Sequence, residues 1–97
     1  MEYVTYWRSP PNGGGLVTLE FYAEGKRKIC SIYRIEGRLR LPPKQWLRTM
    51  RAELKTIEDE ARNAGFAELR MAGRDWSRIV TGYEPLPGVP NGLRKVL

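Results

Sequence analysis

Residues able to do chemistry are few in this chain, and their spacing does not bring them together. There is no histidine, so the usual general base at neutral pH and the commonest metal ligand are both missing. The single cysteine, Cys30, falls in a β-like pattern, where a thiol is far more often a small core residue than a nucleophile. Glu20, Glu36 and Glu68 read as isolated carboxylates with no visible partner. Glu58, Asp59 and Glu60 are consecutive. On a helix, consecutive side chains point three ways, which suits a solvated end better than a metal site. The expectation is therefore no catalytic set, no metal and no cofactor.

The cations are better organised. Lys44, Arg48, Arg51, Lys55 and Arg62 recur so that, on a helix, they fall within an arc of about 60°, away from the apolar stripe. Such a face suits phosphates, or carboxylates on a partner chain. A solvated face with local pairing, such as Lys55 with Asp59, is the plainer reading. The stripe lacks interleaved aromatics for base stacking, which argues against nucleic acid. Tyr3, Tyr6 and Trp7 add an aromatic N-terminal arm that either docks on a neighbour or packs as an ordinary edge strand.

Ninety-seven residues, 41% hydrophobic and 29% charged, describe one globular domain spanning 1–97. No apolar run approaches the roughly 18 residues that a membrane span needs. The start, MEYVTYWRSP, has no secretory pattern, and an unpaired cysteine suits a reducing compartment. Synthesis in the cytoplasm is the expectation. A net charge of +6 favours anionic partners or keeps the domain dispersed.

The elements that must position these residues follow from periodicity. Tyr3–Trp7, Leu16–Ala23 and Lys28–Glu36 alternate as strands, so 1–41 reads as an antiparallel β-meander. Ser9-Pro10-Pro11-Asn12-Gly13-Gly14-Gly15 reads as a flexible loop. It lacks the Lys-Ser/Thr and the helix that a phosphate-cradling loop leads into. Gly37 allows a bend, and Arg38–Leu41 extends the β segment. A long helix spans 43–64, with Pro43 in its first turn and Gly65 as its left-handed cap. Its apolar stripe is Trp46, Leu47, Met50, Leu54, Ile57, Ala61 and Ala64. The remainder, 66–97, reads as β-α-β. A short strand has Ala67, Leu69 and Met71 on one face, and parallel pairing with the meander through a right-handed crossover is expected. A short helix over Asp75–Val80 follows, capped by Asp75, with Trp76 and Ile79 facing inward. A last antiparallel strand ends the chain. Trp46, Leu54, Ile57 and Trp76 are the expected core.

That element order, with Gly65, Leu69, Gly73, Arg74, Trp76, Arg78, Ile79 and Tyr83 in its closing stretch, resembles the second half of the GNAT acetyltransferase fold. More narrowly, it resembles small GNAT-like proteins encoded among bacteriophage virion genes. The resemblance covers about the last 40 residues and implies a truncated GNAT-like α+β fold. It also implies a structural role in the virion, around the head–tail junction or tail, with other virion proteins or further copies as partners in a symmetric assembly. Active members bind acetyl-CoA with a loop of the form Q/R-x-x-G-x-G/A before the long helix. Here that stretch is Gly37-Arg38-Leu39-Arg40-Leu41-Pro42-Pro43, with one glycine and two prolines that remove N–H donors. Arg38 and Arg40 would be a poor replacement for that nest. Tyr83 takes the place of a general acid in some members, though a core or edge role suits it better. An N-acetyltransferase with a divergent loop and a small nucleic-acid-binding protein are the alternatives.

Overall fold

A computed structural model describes residues 2–8, 13–39 and 42–97, with side chains at 2–5, 15–35 and 42–97. The alternating segments form three antiparallel strands, β1 (Glu2–Arg8), β2 (Gly13–Glu24) and β3 (Arg27–Leu39). Helix α1 (Pro43–Asn63) leads to β4 (Glu68–Met71), which runs parallel to β3 as expected. Two last strands, β5 (Glu84–Pro85) and β6 (Leu93–Val96), pair antiparallel, and β6 lies against β4. The sheet order is β1-β2-β3-β4-β6-β5. The fold is α+β, with one mixed six-stranded sheet and, among the described residues, one helix.

Local chemistry accounts for the boundaries. Gly25 and Lys26 form a two-residue hairpin turn, and Gly25 takes φ +62°, where a Cβ would be strained. The helix ends at Ala64, then Gly65 at φ +88°, with Gly65 N donating to the Arg62 carbonyl and Phe66 N to the Ala61 carbonyl. That is the paired arrangement by which a left-handed glycine satisfies the last carbonyls.

The core lies between α1, the sheet and the 72–83 connection. Val17, Leu19, Cys30, Ile32, Leu54, Ile57, Ala61, Leu69, Met71, Trp76 and Ile79 are buried together. Trp46, Leu47 and Met50 are only half-buried against this cluster, and Ala64 is exposed, so the apolar stripe narrows at both ends.

Two expectations need correction, and two further features were not expected. The helix over Asp75–Val80 is a single turn, in which Ile79 N and Val80 N both donate to the Trp76 carbonyl. The six residues Asp75–Val80, bounded by Gly73 and Gly82, do not repay helix nucleation. Asp75 caps the turn through the Ser77 N–H, and Trp76 Nε1 anchors on the Ala72 carbonyl at 3.1 Å. Gly13–Gly15 belongs to β2, because β3 offers partners at Gly37–Leu39; Ser9–Asn12 lies outside the described residues. Strand β5, unforeseen, forms where the chain turns back through Asn91 at φ +56° and Gly92, where a Cβ would lie 2.8 Å from that of Val89. Last, β2 and β3 slip register between Thr18 and Leu19, leaving Tyr33 as an extra residue.

Candidate functional site

Three members of the cation stripe have partners within the chain. Arg51 donates from Nε to the Ile79 carbonyl at 3.2 Å and from Nη2 to the Arg78 carbonyl at 3.0 Å. It thereby closes the carbonyl end of the Trp76 turn. Lys55 and Arg62 both hold Asp59, at 3.1 and 2.9 Å, and Arg62 also reaches Glu58 at 3.3 Å. Lys44 and Arg48 are exposed on the first turns of α1. All five cations remain exposed, and three of them carry partners within the chain. Tyr6 and Trp7 lie in β1, with side chains outside the described residues.

Glu58 is not at a solvated end. It is buried, and its carboxylate accepts from Lys95 Nζ at 2.7 Å and from Tyr83 OH at 3.1 Å. Beside it lies a pocket of about 250 Å³ between α1 and the 79–83 segment, with Leu54, Lys55, Ile79 and Lys95 in its lining. Burial works to raise the Glu58 pKa, but the Lys95 and Tyr83 hydrogen bonds and the Lys95 and Lys55 charges outweigh it, and the net shift is downward. Burial, then the charge of Glu58, pushes the Tyr83 hydroxyl up. Burial likewise pushes the Cys30 thiol up, to about 11. Each group is moved away from neutrality, the reverse of what acid–base or thiolate chemistry needs.

The second constellation sits on the sheet face opposite α1. Glu68, fully buried, accepts from Arg27 Nη2 at 2.9 Å and from Arg70 Nε, with Arg94 Nη1 at 3.8 Å. Arg70 spends its other nitrogens on Glu24, at 2.7 and 2.8 Å, and on Tyr22 OH at 3.2 Å. Arg94 donates to Glu84 at 2.9 Å. Three guanidiniums thus face three carboxylates in a charge-neutral lattice lying flat on the strands. The bidentate Arg70 bonds pull the Glu24 pKa down and push that of Arg70 up.

Further along this face, beyond the lattice, Tyr3 and Tyr33 meet edge to face with ring centroids 5.1 Å apart. They are 54% and 59% exposed. Leu16 is exposed as well, and Thr5 and Thr18 join hydroxyls at 2.9 Å.

Sequence reasoning placed Tyr3 and the stripe but missed Glu58 with Lys95, the Glu68 lattice, and Tyr33. Two signals were present. Glu58 lies four residues after Leu54 and three before Ala61, so it falls on the apolar stripe. Glu68 and Arg70 alternate on the second face of a strand whose first face is core. Among the described residues, no group of three acidic or cysteine side chains is placed to hold a metal, and no helix is long and apolar enough to cross a membrane.

Comparison with protein-family models, with curated proteins and with solved structures finds no match to this chain. The α+β sheet and its two constellations stand on their own geometry.

Proposed function

We propose that the chain is a non-enzymatic assembly domain, a shortened GNAT-like fold serving as a structural component of a bacteriophage virion at the head–tail junction or tail. The observation that carries the assembly reading is the helix-free sheet face with its exposed Tyr3–Tyr33 pair. Tyrosine supplies large contact area at low entropic cost and is enriched where interfaces concentrate their energy. The adjoining lattice has its charges already paired.

The GNAT-like part is supported by the long helix leading into a parallel strand and a terminal β segment. A single turn stands where that fold has a short helix. The phage assignment rests on the resemblance of the closing stretch. Against the acetyltransferase alternative, Pro42 and Pro43 open α1 without N–H donors, and no side chain caps the helix. Against the nucleic-acid alternative, Arg51, Lys55 and Arg62 are engaged within the chain.

Hydroxyl-radical footprinting tests the reading. Tyr3 and Tyr33 should oxidise readily in the isolated chain and be protected in purified particles of the phage or prophage that encodes it. Particles that lack the chain, or equal reactivity in both states, would sink it.

A further inference from the structure

We propose that β1 pairs antiparallel with β1 of a second copy of this chain, about a two-fold axis at Thr5. This deepens the assembly reading by naming the partner of one sheet edge, and it rests on that reading only in treating the chain as a contact-forming domain.

Strand β1 is an edge. Its only ladder partner among the described residues is β2, and the opposite edge is the two-residue β5. Natural edge strands are guarded by shortness, Pro, bulges or charged side chains. The seven residues Glu2–Arg8, EYVTYWR, have no Pro, and their register against β2 is unbroken. Charge occurs only at the two ends, with aromatic and β-branched residues between. Such a stretch favours strand addition.

Symmetry then restricts the register. A two-fold that sets two antiparallel edges side by side stands perpendicular to the sheet, so each residue keeps its face. Directly opposed residues share a face, so they differ by an even number of positions. Of the registers this allows, the one centred on Thr5 pairs the whole of β1. It sets Glu2 against Arg8 twice, Tyr3 against Trp7 twice, Val4 against Tyr6 twice, and Thr5 against itself. Centring on Val4 or Tyr6 instead leaves two residues of each strand unpaired and loses both opposite-charge pairs. The end charges and aromatic centre of β1 are self-complementary in this one register, as an isologous contact requires. Both copies of α1 then lie on one face of a continuous sheet. The two Tyr3–Tyr33 pairs lie on the other, flanking the axis as one wider aromatic surface.

Analytical ultracentrifugation of the full chain over a concentration series, with Glu2→Arg, Arg8→Glu and the double reversal, is the test. The wild type should form a dimer. Each single reversal should raise the dissociation constant about tenfold, and the double should restore it. Thr5→Cys, opposed to itself, should cross-link on oxidation, because paired strands bring Cα atoms within disulfide reach; buried Cys30 does not compete. Val96→Cys, 62% exposed but on β6, should not. A monomer at every concentration, open-ended oligomers, reversals without effect, or a double that fails to rescue would overturn the pairing. A monomeric chain whose Tyr3 and Tyr33 are protected in particles would overturn the pairing alone and leave the assembly reading intact.

Discussion

Two neighbouring rows of residues cross the same six strands and meet opposite fates. Val4, Leu19, Ile32, Met71, Leu93 and Pro85 stand opposite one another from edge to edge, and the row inside that line is sealed beneath α1. One residue along, Tyr3, Glu20, Ser31, Arg70, Arg94 and Glu84 form the matching row on the face without a helix. The first row is held by removing apolar area from water, which is non-directional and tolerant of exchange. In the second, Arg70, Arg94 and Glu84 are held with Glu68, Glu24 and Arg27 by guanidinium–carboxylate geometry, which is directional and intolerant of losing one member. A sheet with one helix has one face to bury. On the other, this chain replaces a covering layer with charges that cover one another, and the cost is that every charge must keep its partner.

The largest effect should come from breaking that pairing. Glu68→Ala leaves Arg27, Arg70 and Arg94 around an empty site and should cost about 3–5 kcal/mol in urea unfolding, the range for removing one partner of a buried pair. Leu54→Ala on the helix side should cost about 2–5 kcal/mol, according to how far the cavity collapses. The contrast sharpens with a second change. Glu68→Leu with Arg70→Leu should cost less than Glu68→Ala alone, since no charge in the pair is then left stranded. If the Glu68 and Arg70 changes simply add, the lattice is not a unit.

A middle-sized effect belongs to Glu58. Its folded pKa lies below the ordinary 4.5, so the unfolded chain takes up the proton first as pH falls. The stabilisation is fully present above that value and is lost as pH drops through the lowered one. Thermal unfolding followed downward through the carboxylate range should show this loss, and Glu58→Gln should flatten it. Glu24 and Asp59 shift in the same direction, but both are solvent-accessible and contribute less. A Glu58→Gln profile parallel to that of the wild type would assign the acid sensitivity elsewhere.

The smallest effect separates members of the cation stripe. Arg51→Ala removes the donor to the Ile79 and Arg78 carbonyls and should cost about 1 kcal/mol. Arg48→Ala should stay within about 0.5 kcal/mol, as an exposed surface change does. Equal losses would mean that the Arg51 bonds contribute nothing to the Trp76 turn.

Legibility in the sequence followed interaction range. Alternation found β1, β2 and β3, helical spacing with Pro43 and Gly65 found α1, and the helix between strands led to the parallel β3–β4 pair. The strands and the helix depend on neighbours within a turn or a hairpin, and the parallel pair follows from the helix that separates β3 from β4. The Asp75–Val80 segment misled because a good cap and two inward apolar residues also suit a single turn. Glu68 looked solitary because its partners are Arg27 on β3, Arg70 two residues on and Arg94 on β6, and only the register of β3, β4 and β6 joins them. The stripe on α1 was correct as spacing, but Asp59, Glu58 and the Ile79 carbonyl had already claimed three of its cations.

The central claim is that the helix-free face makes contacts while the buried acids only hold the fold. Particle yield in a complementation assay tests it most directly, comparing Tyr3→Ala/Tyr33→Ala with Tyr83→Phe. Both variants should fold, since the first pair is exposed and the second change removes a single hydroxyl. The account predicts that the double variant is excluded from particles and that Tyr83→Phe assembles as the wild type does. Normal incorporation of the double variant, with function lost in Tyr83→Phe, would contradict it and move attention to the Glu58 pocket.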